Sequence, residues 1–434
     1  MIKKIILQLE NITPPKYRWI FNHQGFRRYF KNTGWMFFGQ FISLLASFFV
    51  GAWLARYLGP SDFGIVNYAI AFVGLFAMVA NLGIDFVLNR ELVKHPERKD
   101  EYLGTSFPLK LLGGFFSVLI ITILTFLIDF DPLTRLLIII FSSSLIFQAS
   151  NVITAFFQAR VEAKYNVKAQ ITAMIISSAL KIAFILLNLN LIFLISVYAL
   201  DFLWQGIGFF FVYKLKGFKI STWKFKFSLA KRLWLDSWPL MLANAAAFIY
   251  LRIDQVMIGH FLDQGSVGIY AAAVKFAEIW YFLPTVICAS LFPAIVKAKS
   301  INYNFYIKRL KNFYGLMTLV ALAVAIPTVI LAPWAVPFIF GSAYTSSVPI
   351  LQIYIWSSIG LYLGWAVSQY LINENKAKKL FYIHVFALIF NITLNIILIP
   401  RVGLPGAALT TLASYLILPT IILLQQRRDL IRAK

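Results

Sequence analysis

Four charged residues fall in two apolar stretches separated by one short turn: Arg252 and Asp254 before it, Lys275 and Glu278 after it. A charge at bilayer depth costs about 2.5 to 3.5 kcal/mol even on lenient scales, so each needs a partner or a wet cavity. Arg252 lies about 12 residues before the turn near Gln264 and Lys275 about 11 after it, which in antiparallel helices puts both roughly 16 to 18 Å down. Two cations at one depth can attract a phosphate-type anion, Arg through its planar fork and Lys as a point charge. The same residues also permit neutralisation without any ligand. Asp254 is near enough in height to meet Lys275, and Glu278 follows Lys275 at i+3, so these two carboxylates serve either charge balance or coupling.

The elements that carry these charges are long apolar stretches, each able to cross a hydrocarbon core of ~30 Å. About twelve are expected, six between Gly34 and Tyr213 and six between Leu235 and Leu424, with boundaries good to about 2 to 4 residues. The chain is therefore expected to be an all-α polytopic membrane protein. Basic residues fall in every second gap: roughly 33 of the 40 Lys and Arg, against roughly 3 in the intervening gaps. Both termini share the basic side, so both are expected to face the cytoplasm. The domains read as an extension over 1–33, a first lobe over 34–213, a basic linker over 214–234, a second lobe over 235–425 and a basic tail over 426–434.

Topology accounts for the net charge of +23. The basic loops would touch anionic membrane lipids, and no nucleic-acid partner is expected. In the linker, Lys224-Phe225-Lys226-Phe227 suits either a segment lying on the inner leaflet or a solvated connection. The start of the chain has an apolar run, Ile5 to Leu9, too short for a signal-peptide core, and Pro14 and Pro15 follow it. An interfacial or cytoplasmic extension is the expectation there.

Lys181 and Asp201 flank a short outer turn at Asn188 to Asn190, within reach of one another, and are expected to form an ion pair inside the first lobe. Lys110 and Asp85 lie near cytoplasmic ends, where snorkelling or interfacial pairing explains them. His384 fits hydrogen-bonded packing better than a proton relay. The lone Cys288 has no ligand cluster around it and reads as a small buried hydrophobe. No cofactor or metal is expected, and no catalytic residues emerge: the outer gaps are too short to hold an enzyme's site. Aromatics make up 17% of the chain, but interfaces and helix contacts use most such rings, so none is singled out for binding sugar.

The two halves look like copies. A shift of about 204 residues lays Tyr57, Leu58, Gly64, Ile65, Ala69 and Phe72 over Phe261, Leu262, Gly268, Ile269, Ala273 and Phe276. An even number of crossings separates them, so the repeats are parallel, related by an axis along the membrane normal. Phe48 and Ala71 stand where the second half has Arg252 and Lys275, so any cationic wall is one-sided.

Ala55-Arg56-Tyr57-Leu58-Gly59-Pro60 with Asp62-Phe63-Gly64 resembles the first hairpin of the polysaccharide transporter, or O-antigen flippase, family. Ile253-Asp254, Ile258-Gly259 and Val267-Gly268-Ile269-Tyr270-Ala271-Ala272-Ala273 resemble its seventh and eighth helices, and Gly403-Leu404-Pro405-Gly406-Ala407-Ala408 its last. The resemblance extends to the wider multidrug, oligosaccharidyl-lipid and polysaccharide exporter superfamily. It implies two six-helix lobes in a V, alternating access, and a central cavity walled by helices 1, 2, 7 and 8. It also implies a cargo of lipid-linked oligosaccharide, whose diphosphate would meet Arg252 and Lys275, a place in the inner membrane, and work beside a polysaccharide polymerase and chain-length regulator. A cation-coupled drug or small-molecule exporter of the same superfamily is the rival.

Overall fold

At Gly59 the backbone takes φ 72°, a conformation open to glycine at little cost, and Pro60 starts a new helical arm where its missing N–H is no loss. The bend turns helix α1 (Gln24–Gly74) into two arms. The equivalent turn in the second half is made differently: the Asp263 carboxylate accepts from the Ser266 N–H and hydroxyl and so starts a helix.

A computed structural model describes residues 24–299, 302–374 and 376–432. The apolar run at the start of the chain lies outside them. Helices and short 3₁₀ turns make up the regular structure of the described residues. After α1 come α2 (Ile84–Lys94), α3 (Lys99–Leu127), α4 (Pro132–Ser142), α5 (Lys164–Leu186) and α6 (Leu191–Leu215). The second half has α7 (Phe227–Phe261), α8 (Gln264–Glu278), α9 (Phe282–Lys299), α10 (Tyr303–Phe340), α11 (Ser357–Asn373), α12 (Ala377–Val402) and α13 (Leu404–Arg432).

Among the described residues, 10 helical segments are long and apolar enough to cross a membrane. The difference from the expected number has two physical sources. One segment, Lys31–Gly74, runs through the Gly59 bend and so joins two stretches. Helix α7 is not among the ten; it carries Lys231, Arg232, Asp236, Arg252 and Asp254. The helices present large apolar side chains outward, Phe338 at 80% exposure and Leu127 at 76%, as lipid-facing surfaces do.

The largest core joins the two halves near the Gly59 turn, where Ala55, Phe63 and Ala69 pack with Val267, Ala273 and Phe340. The Tyr344 hydroxyl donates to the Ala55 carbonyl at 2.8 Å, and Arg56 donates to the Phe338 carbonyl at 3.4 Å. At the opposite end one core gathers Tyr102, Phe157 and Tyr213 of the first half with Leu229 and Leu233 of α7, and another forms around Tyr306, Tyr362 and Tyr370 of the second half. There the halves meet through α2 and α7, where Arg90 and Asp236 pair at 3.1 Å.

The linker is strapped to the first half. Lys224 donates its N–H to the Asp100 carbonyl at 3.0 Å, Lys226 its own to Thr105 Oγ1 at 3.1 Å, and Trp223 its indole N–H to Tyr213 at 3.1 Å. These bonds replace a freely solvated connection, while Phe225 and Phe227 remain outward at 54% and 79% exposure. Lys110 is buried against Asp85 at 2.6 Å, which removes the need to snorkel.

Candidate functional site

A cavity of about 590 Å³ lies between the halves. From the second half, α7 contributes Arg252 and Gln255, and α8 contributes Lys275 and Glu278; from the first come Asn67, Asn81, Gln148 and Asp201. The repeat-equivalent Phe48 and Ala71 also line it, so its cations stand on one wall.

Arg252 Nη2 and Glu278 Oε1 are 3.1 Å apart, an ion pair between α7 and α8. Lys275 makes no ion pair among the described residues. Its ammonium lies against Gly51 of α1 and 5.7 Å from the centre of the Phe63 ring. A side chain at Gly51 would occupy the place of the ammonium. Counting Arg252 and Lys275 against Glu278, this wall carries one net positive charge.

The expected meeting of Asp254 with Lys275 does not occur. Two residues along a helix are about 200° around it, so α7 turns Asp254 away from the face that carries Arg252. Asp254 is buried, 4% exposed, inside the second half. Its Oδ2 accepts from the Tyr270 and Thr411 hydroxyls, both at 2.7 Å, and Oδ1 has no hydrogen-bond partner among the described residues. Glu278 likewise pairs across to Arg252 instead of back to Lys275.

Lys181 and Asp201 stand 2.8 Å apart between α5 and α6, and the Lys181 ammonium lies 3.8 Å from the centre of the Tyr198 ring. His384 contacts the Leu380 carbonyl at 2.8 Å through Nδ1. Cys288 is buried.

Sequence reasoning missed the amides of the first-half wall. Asn81 donates to Gln148 at 3.0 Å and to the Ala77 carbonyl at 2.8 Å, while its own Oδ1 has no hydrogen-bond partner among the described residues. Their signal was a primary amide inside an apolar stretch, weaker than a charge because it costs less to bury. Tyr270 and Thr411, which hold Asp254, were also missed, since their positions match ordinary packing residues. The cavity thus offers a cationic wall opposite one with the amides of Asn67, Asn81 and Gln148 and the Asp201 carboxylate, itself paired with Lys181, which suits an anionic group attached to a polar one.

Residues 29–299 match the family model described as polysaccharide biosynthesis protein. The chain belongs to that family. Among curated relatives, the probable low-salt glycan biosynthesis flippase Agl15 of Haloferax volcanii is 23% identical over 83% of this chain and 75% of its own length. The putative O-antigen transporter of Shigella flexneri is 22% identical, covering 88% of this chain and 93% of its own. Among solved structures, the lipid II flippase MurJ in an inward closed conformation superposes with a TM-score of 0.72 at 17% identity, over 90% of this chain and 87% of that one. This likeness shows the fold, and with 10 helical segments long and apolar enough to cross a membrane among the described residues, the polysaccharide biosynthesis family member is a multi-pass helical membrane protein.

Proposed function

We propose that this chain is a flippase that carries a lipid-linked oligosaccharide repeat unit across the inner membrane by alternating access, for surface polysaccharide synthesis. The reading is carried by Lys275, an ammonium without an ion-pair partner among the described residues, beside the Arg252–Glu278 pair on the wall of a cavity between the halves. Leaving a charge unpaired at this depth is costly unless a counter-charge visits, and a carrier's diphosphate supplies one. The names of the curated relatives support the same class of cargo.

In this reading the chain has two six-helix lobes and both termini in the cytoplasm. The joined core near Gly59 is the outer seal, so the cavity loads from inside. Asp254 is the coupling residue: it is held by two hydroxyls and makes no ion pair among the described residues, so a proton or small cation can balance it. A polysaccharide polymerase and a chain-length regulator would receive the cargo on the far side.

Deleting the gene tests the assignment. Lipid-linked oligosaccharide should accumulate on the inner face, and surface polysaccharide should fall. Normal surface polysaccharide without accumulation, in cells lacking a redundant flippase, contradicts it and leaves the drug-exporter reading.

A further inference from the structure

A second cavity, of about 320 Å³, opens within the first half among α1, α5 and α6. Its polar lining includes Ser43, Gln170, Ser178 and Gln205, with the Lys181–Asp201 pair at its edge. Ser47, Tyr198 and Asp201 also line the main cavity, so the two spaces adjoin. Gly51, against which the Lys275 ammonium rests, lines this smaller one.

We propose that this pocket is the sugar subsite of the flippase, taking the neutral hydroxyl and amide groups of the cargo while its diphosphate lies at Arg252 and Lys275. The inference rests on the flippase reading and adds to it where the head group sits. Lys181 and Asp201 cancel one another, so the pocket has no net charge to attract a phosphate. Serine hydroxyls and glutamine amides both donate and accept, which matches a sugar's alternating hydroxyls and any N-acetyl group. Asp201 Oδ1 and Ser177 Oγ are buried and have no hydrogen-bond partner among the described residues. At membrane depth such groups are costly unless a polar guest satisfies them. The volume falls at the lower end of the ~300–1,000 Å³ used by small-molecule sites, room for a sugar and far too little for a polyprenyl chain.

The test uses purified full-length protein and two probes: polyprenyl diphosphate, and the same lipid carrying an N-acetylhexosamine disaccharide. Two additional net hydrogen bonds should make the sugar-bearing lipid bind wild type about tenfold more tightly or better. Ser178→Leu and Gln205→Leu should bring its affinity down to that of the bare lipid and leave bare-lipid binding unchanged. Ser178→Thr, which keeps the hydroxyl, should retain most of the sugar preference, separating recognition from misfolding. Equal affinity of wild type for both lipids, or equal loss of both in the leucine variants, overturns the subsite. Failure of bare polyprenyl diphosphate to bind wild type would instead overturn the cargo reading beneath it.

Discussion

Gly64 and Gly268 occupy equivalent places in the two copies of the repeat, about 204 residues apart, and each gives the other copy's backbone its room. A Cβ on Gly64 would overlap the Gln264 carbonyl, and one on Gly268 would overlap the Pro60 carbonyl. Pro60 and Gln264 are themselves equivalent under the same shift. The crossing of α1 and α8 is therefore symmetric, and it lies beside the core that joins the halves at the Gly59 end.

Gly64→Leu and Gly268→Leu should each force this crossing apart. Overpacking of about 1 to 3 kcal/mol shifts a two-state equilibrium roughly 5- to 150-fold, enough to favour the form open at this end. A cysteine at Ala55, now buried, should become reactive to an impermeant maleimide added outside. Unchanged labelling with near-normal transport would show that the glycines are not needed for closure.

Topology is tested by thiols at Ser221 and Ser342, both exposed, in a Cys288→Ser background. Ser221→Cys should react only once the inner face is opened, and Ser342→Cys should react in intact cells. The opposite pattern inverts the protein in the membrane.

Lys181→Met strands Asp201 and should lower the amount of folded protein, because breaking a buried pair costs about 3 to 5 kcal/mol. The double variant Lys181→Met with Asp201→Asn should recover most of it. Equal loss in single and double variants would mean that the two groups do not depend on one another.

Asp254→Asn keeps an acceptor for Tyr270 and Thr411 but removes the charge. Protein abundance should stay near wild type while transport in vesicles loses its response to an imposed proton or sodium gradient. A gradient response of wild-type size would rule out coupling at Asp254.

Much of this was legible from residues alone, because depth follows from a fixed rise per residue. Arg252, Lys275 and the partners Lys181 and Asp201 could be located by counting from a turn, and the repeat marked where the halves meet. Azimuth was harder. Arg252 and Asp254 point to opposed sides of α7, but which side meets a cavity depends on the helices packed against it, and these come from both halves of the chain. The smaller first-half pocket was illegible for the same reason: serines and glutamines on α1, α5 and α6 carry no strong individual signal, and only packing gathers them.

Arg252 and Lys275 are expected to give anionic cargo its counter-charge. Wild type, Arg252→Gln and Lys275→Gln should be reconstituted in vesicles and their flipping of a polyprenyl-diphosphate oligosaccharide compared per folded molecule. A loss of about tenfold or more is expected in each variant, with Arg252→Lys recovering part of it because charge persists without the fork. Near-normal flipping per folded molecule in both glutamine variants would contradict it.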